Sequence, residues 1–143
     1  MQRGSALLNR QLSAAVTGLR FGEIIVIADA GLPVPPGVAT VDLALTNGIP
    51  SVDAVARVLQ AELVIEEVIV AAEMRKVNPT VSASVDEVFA AAGTRVRELP
   101  HDDIEALLPT AQLIVQTGET TPYGNVLLVG GLDFFALGMA DGD

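Results

Sequence analysis

A chain of 143 residues that is half hydrophobic, with eight basic residues against eighteen acidic ones, has the length for one domain and the wrong charge for a polyanionic partner. Its Lys and Arg residues are scattered, so the clustered cations that nucleic acid or an anionic membrane surface requires are missing. With no cysteine, disulfides, thiolate catalysis and thiolate metal sites are excluded, and a single histidine argues against zinc. No apolar stretch approaches the ~18 to 20 residues that span a bilayer. The opening residues also lack the basic-then-apolar layout of a signal peptide, so a cytoplasmic protein is expected. Such a large apolar share without a membrane span predicts that part of it is buried between copies of the chain.

Taken in order, Asn9 is placed to cap a first helix whose apolar face is Leu12, Ala15, Val16 and Leu19 and which ends near Arg20. The segment Arg20-Phe21-Gly22-Glu23 reads as a tight helix-to-strand connection. Ile24 to Ala28 is apolar without alternation and mostly β-branched, which predicts a strand buried on both faces that surfaces at Asp29. Gly31, Pro33, Pro35 and Pro36 then forbid a regular continuation. A carboxylate at the mouth of a buried strand, beside a stiff loop, suits a binding pocket. It also suits simple turn chemistry, in which the side chain accepts from nearby backbone N–H groups.

Thr40 to Leu45 predicts a strand that ends at the Asn47-Gly48 turn. Ser51 caps a helix with Val52, Val55, Ala56 and Leu59 on its core face. Leu63 to Ala72 reads as a strand with Glu66 and Glu67 at its solvated start, and Lys76 and Asn78 fall in a connecting loop. Thr80 to Ala92 predicts a helix with Val81, Val85, Val88 and Phe89 inward and Gly93 as its left-handed cap. Arg95 to Leu99 is a short strand, and Pro100-His101-Asp102-Asp103 opens a brief helix that Pro109 stops. Leu113 to Val115 and Val126 to Val129 are further strands, separated by a polar, turn-rich stretch, and the tail reads as loose beyond Gly138. The alternation predicts one layered α/β domain over residues 1–143 with a largely buried sheet.

No P-loop, dinucleotide fingerprint or nucleophile elbow is present. The polar groups left at strand ends and loops are Asp29, His101, Tyr123 and Asn125. Histidine is the side-chain type that exchanges protons near neutral pH, which makes His101 the natural acid/base candidate. A histidine at a helix start is equally what a solvated surface residue looks like.

Three runs taken together resolve this: IVIADAGLPVP at 25–35, PHDDIEALL at 100–108 and TGETTPYGN at 117–125. They resemble the ribose and fucose mutarotase family, in its ribose pyranase branch, and the likeness extends over nearly the whole chain. The resemblance implies a three-layer α/β/α fold with a mixed sheet and an isomerase that interconverts pyranose and furanose forms of D-ribose or a related free sugar. It implies no cofactor and no metal. It further implies homo-oligomers, pentameric rings stacked as decamers, with each site between neighbouring subunits. In that arrangement Asp29 is met across the boundary by His101 and the Tyr123–Asn125 pair. Matched position by position, the sugar contacts fall on Asp29, His101, Tyr123, Gly124 and Asn125, with Asp29 and His101 carrying the proton traffic.

Two positions depart from the pattern. Phe21 stands where the branch has a histidine regarded as the proton donor, and Gln116 stands where a basic residue is common. Phenylalanine cannot transfer a proton, though it offers a sugar an apolar face. Arg20 beside it keeps its proton at any ordinary pH and makes a poor general acid. The alternative expectation is therefore a catalytically impaired or repurposed relative that binds a sugar or small polyol without pyranase activity.

Overall fold

The computed structural model describes residues 6–133 and Gly138, so the loose tail expected beyond Gly138 lies outside the described residues. In chain order the elements are α1 (Arg10–Gly18), β1 (Ile24–Ala28), β2 (Thr40–Asp42), α2 (Val52–Glu62), β3 (Ile65–Ala71), α3 (Ala72–Val77), α4 (Pro79–Val85), β4 (Arg95–Leu99), α5 (His101–Leu107), β5 (Leu113–Gln116) and β6 (Val126–Gly130). A π-helical turn, Asp86–Ala90, prolongs α4, and a 3₁₀ turn, Leu108–Thr110, follows α5.

The strands form one six-stranded sheet in the order β2-β5-β1-β6-β3-β4. β1, β2 and β5 run parallel, as do β3 and β4, and β6 joins the two groups by pairing antiparallel with both β1 and β3. Every strand except β6 therefore points the same way. All five residues of β1 are buried, as its unbroken apolar run requires.

Two cores sandwich the sheet. On one face Leu12 of α1, four residues of α2, Met74 of α3, and Val81, Val85, Val88 and Phe89 pack against Ile25, Ile27, Val68 and Leu128. On the other, Ile104, Leu108, Leu32 and Ala111 cover Val26, Ile69, Ile114 and Leu127. The result is the expected three-layer α/β/α arrangement, with a thinner layer on the α5 side. Among the described residues no helix is long and apolar enough to cross a membrane.

Local chemistry explains most boundaries. Asn9 Oδ1 accepts from Leu12 N–H at 2.9 Å and Ser51 Oγ from Ala54 N–H at 3.0 Å, each satisfying an orphan donor of the first helical turn. Gly22, Gly48 and Gly93 take the positive φ that their turns require.

Three expectations are corrected. Lys76 lies in α3 rather than a loop, because the run from Ala72 to Val77 consists mainly of good helix formers and buries Met74 completely. Asn78 is the joint between two helices and caps α4 by accepting from Val81 N–H at 3.1 Å. The helix expected over 80–92 widens at Asp86–Ala90, where Ala91 N–H reaches back to Asp86 O at 2.8 Å. β2 is also only three residues long, pairing with β5 alone at the sheet edge.

Gly118 ties the β5 exit to the loop before α2. Its N–H donates to Pro50 O at 2.8 Å and its carbonyl accepts from Gly48 N–H at 2.6 Å. A Cβ here would strike Thr46 O and lie 2.6 Å from Ile49 O, both backbone atoms that cannot swing aside. Gly118→Ala is expected to destabilise the fold by about 1–3 kcal/mol, the usual range for overpacking. Thermal unfolding checks this; an unchanged midpoint would mean that the two loops are not held this closely.

Candidate functional site

Because all strands but β6 are parallel, the carboxyl ends of β1, β4 and β5 and the amino end of β6 share one edge of the sheet. In α/β sheets this is where ligands bind, since the chain leaves the strands there in loops free to carry polar groups. Asp29 follows β1, His101 follows β4, Glu119 follows β5 and Tyr123 to Asn125 precede β6. Asp29, His101, Glu119, Tyr123 and Asn125 line a single cleft of about 500 Å³, together with Gly31, Leu32, Pro33, Glu105 and the 120–122 loop.

Asp29 is 9% exposed and is held by its neighbours' backbones. Oδ1 accepts from Gly31 N–H at 3.0 Å and Oδ2 from Gly124 N–H at 3.2 Å. Its own N–H donates to Asn125 Oδ1 at 2.8 Å. The bond to Gly31 is the turn chemistry expected of an Asp at this position. Here the same carboxylate also faces the cleft. Burial pushes its pKa above the ordinary value of 3.8, and the Gly31, Gly124 and Leu32 backbone N–H groups and the nearby His101 partly offset that rise.

His101 opens α5, and its backbone N–H donates to both carboxylate oxygens of Glu73 at 3.1 and 3.2 Å. Its ring meets Tyr123 edge-on, with centroids 5.0 Å apart and planes at 75°. Tyr123 adopts φ 54°, a left-handed backbone that a non-glycine residue seldom takes, between Pro122 and Gly124.

The loop that presents Tyr123 is fixed by residues not singled out from the sequence. Asn78 Nδ2 donates to Thr121 Oγ1 and to Pro122 O, both at 2.8 Å. Thr121 Oγ1 donates in turn to Glu119 Oε2 at 2.8 Å. Glu119, also buried, accepts from Val52 N–H at 3.0 Å through Oε1, joining the loop to the first turn of α2. The Thr-Gly-Glu run after a buried strand was the available signal for Glu119, whereas nothing local marks Asn78.

Asp29, His101, Tyr123, Gly124 and Asn125 thus converge within one chain. This corrects the expectation that the carboxylate is met by the imidazole and the Tyr–Asn pair across a subunit boundary; the antiparallel insertion of β6 beside β1 brings them together internally. Phe21 does not join them. It precedes β1, whose five residues alone span roughly 16 Å, and so stands at the opposite edge of the sheet. There it is 57% exposed and lines a second hollow of about 540 Å³ with Leu19, Arg20, Leu63, Val64, Gly130 and Gly131. Gln116 ends β5, paired in register with Ala28 and Asp42.

A mixed sheet with a small polar cleft of carboxylate, imidazole, phenol and amide at its carboxyl edge defines an α/β protein built to hold a small hydrophilic molecule. The chain belongs to the RbsD / FucU transport protein family, which it matches over residues 2–133. It is 43% identical over 128 residues to the D-ribose pyranase of Pseudomonas putida KT2440, covering 90% of this chain and 96% of that one. D-ribose pyranase 2 of Streptomyces griseus is 41% identical over 130 residues, covering 91% and 98%. Among solved structures, Bacillus subtilis RbsD complexed with D-ribose superposes with a TM-score of 0.87 at 36% identity, over 92% of this chain and 98% of that one. The fucose mutarotase of Streptococcus pneumoniae, in complex with L-fucose, shares the fold with a TM-score of 0.75 at 19% identity, over 87% and 93%.

The raised pKa of Asp29 has a definite sign. The folded chain holds this proton more tightly than the unfolded chain does. Its contribution to stability is therefore fully present below pH 3.8 and is lost as pH rises through the folded value. Titration of the Asp29 carboxyl carbon by NMR is expected to give a midpoint above 3.8. A midpoint below it would mean that the backbone N–H groups, not burial, dominate.

Proposed function

We propose that this chain is a sugar mutarotase that interconverts the pyranose and furanose forms of D-ribose or a closely related free sugar by acid/base ring opening. The observation that carries the reading is the convergence of Asp29, His101, Tyr123 and Asn125 on one cleft of sugar size at the carboxyl edge of the sheet. Support comes also from relatives above 40% identity that bear the name D-ribose pyranase and span nearly the whole chain.

In this reading Asp29 takes the proton of the anomeric hydroxyl as the C1–ring-oxygen bond breaks, and His101 gives a proton to the departing ring oxygen. A C1 aldehyde results. Addition of a different hydroxyl to that carbonyl, with the two proton transfers reversed, closes the other ring size. The conversion is redox-neutral and needs only correctly placed donors and acceptors, which contribute about 10²- to 10⁴-fold in such reactions. Tyr123 packs against one side of the sugar, and Asn125 both donates and accepts. Burial raises the pKa of Asp29, and a carboxylate of higher pKa is the stronger base.

Position 21 reaches a cleft only if a neighbouring chain supplies it. The reading therefore includes a cytoplasmic homo-oligomer, with pentameric rings stacked as decamers. Exposed Phe21, Leu45, Ile49 and Val58 provide apolar surface for such contacts. In this chain Phe21 supplies an apolar wall, and the acid role falls to His101.

Proton exchange NMR on D-ribose tests the proposal. Wild-type protein is expected to accelerate pyranose–furanose exchange, and Asp29→Asn to reduce the acceleration by about 10²-fold or more. Phe21→His is expected to raise it. If ribose resonances broaden with no gain in exchange rate, the chain binds sugar without turning it over and the mutarotase reading is wrong.

A further inference from the structure

Alone among the described non-glycine residues, Tyr123 has a positive φ, and such a conformation persists only where its surroundings over-determine it. The two residues before it are gripped by one buried side chain. Asn78 is 2% exposed, and its Nδ2 donates to Thr121 Oγ1 and to Pro122 O, both at 2.8 Å, while Oδ1 accepts from Val81 N–H at 3.1 Å. Turning the amide over would set its NH₂ against the Val81 N–H and its oxygen against Pro122 O, so one orientation alone satisfies all three bonds. The grip continues past Thr121. The Glu119 carboxylate only accepts, taking the Val52 N–H on Oε1 at 3.0 Å and the Thr121 hydroxyl on Oε2 at 2.8 Å. Thr121 Oγ1 is thereby fixed as acceptor from Asn78 and donor to Glu119. The bonds form one directed chain from the start of α4, through the loop, to the first turn of α2.

We propose that Asn78 is a positioning residue of the cleft, holding the backbone of Tyr123 in its left-handed turn so that the phenol ring stands beside His101 as a fixed wall for the sugar. This rests on the mutarotase reading, in which Tyr123 packs against one side of the sugar. Asn78 is not among the residues that line the cleft, and it acts through Tyr123. The competing role is that of a plain helix cap, which Asn supplies well before a helix that opens on proline. The two roles use different atoms of the same amide. Capping needs Oδ1, whereas the hold on the loop needs Nδ2.

Asn78→Ser separates them, because a serine hydroxyl still caps α4 but leaves no second group to reach the loop. Tyr123 is the only tyrosine and the chain has no tryptophan, so the tyrosine band of the near-ultraviolet circular dichroism spectrum reports this ring alone. Asn78→Ser is expected to weaken that band while the far-ultraviolet spectrum keeps its wild-type form. In the ribose exchange assay it should raise KM by about 10-fold, the scale of a lost buried hydrogen bond, with kcat within about 3-fold of wild type. Thr121→Val cuts the same chain of bonds beyond the cap, and should weaken the band and raise KM in the same way. A cap-only role leaves both the band and KM of Asn78→Ser at their wild-type values, and either of those results would overturn the proposal. If the band weakens in both variants while wild-type protein leaves ribose exchange unaccelerated, the mutarotase reading fails and the hold of Asn78 on Tyr123 stands.

Discussion

The site depends on a reciprocal tie between two loops that lie 96 residues apart in the chain. Asp29 gives its N–H to Asn125 and takes the N–H of Gly124 on its carboxylate. Each bond is buried, where an unmade partner costs about 1–3 kcal/mol. The mouth of β1 and the entry to β6 therefore cannot separate cheaply. The tie also acts on the carboxylate: burial raises its pKa, and the backbone N–H groups it accepts from partly offset that rise. Gly124 is close-packed as well, since a Cβ there would meet Glu119 Cγ and Thr121 O at 3.3 Å. The approach of backbone to carboxylate leaves little room for a side chain.

Around that tie the remaining groups are held from behind. Asn78 bridges the helical layer to Thr121 and Pro122, and Glu119 links the same loop to the first turn of α2. Tyr123 carries an unfavourable backbone conformation that this scaffold enforces, and its ring is thereby set against His101. Preorganisation of this kind suits a small ligand with many hydroxyls, because the donors and acceptors are in place before the sugar arrives. The opposite edge of the sheet is different in character. Phe21, Val64 and Leu132 are partly exposed around a hollow there.

Much of this was legible in the chain itself. The unbroken β-branched run of β1 predicts a doubly buried strand, and the caps at Asn9 and Ser51 announce their helices, because each signal is local and has one physical meaning. The short helix α3 was hidden because it continues from β3 without a turn residue to mark its start, and its 6 residues are too few to show a helical period, so the stretch read as a loop. The meeting of Asp29 with Asn125 inside one chain was out of reach for a different reason. It requires knowing that β6 runs against its neighbours between β1 and β3, a pairing that no local pattern encodes. Resemblance named the residues of the cleft and the backbone fold assembled them. The pairing of Glu105 Oε1 with His101 Nε2, 2.8 Å apart, was available from helical spacing alone once α5 was drawn.

The central claim is that this cleft holds a sugar between Asp29 and His101. A crystal structure of the protein with D-ribose tests it most directly. The expected result is ribose in the cleft, with its anomeric hydroxyl within hydrogen-bond distance of the Asp29 carboxylate and its ring oxygen facing the His101 imidazole. Ribose bound elsewhere, or a cleft left empty at saturating sugar, would contradict the account.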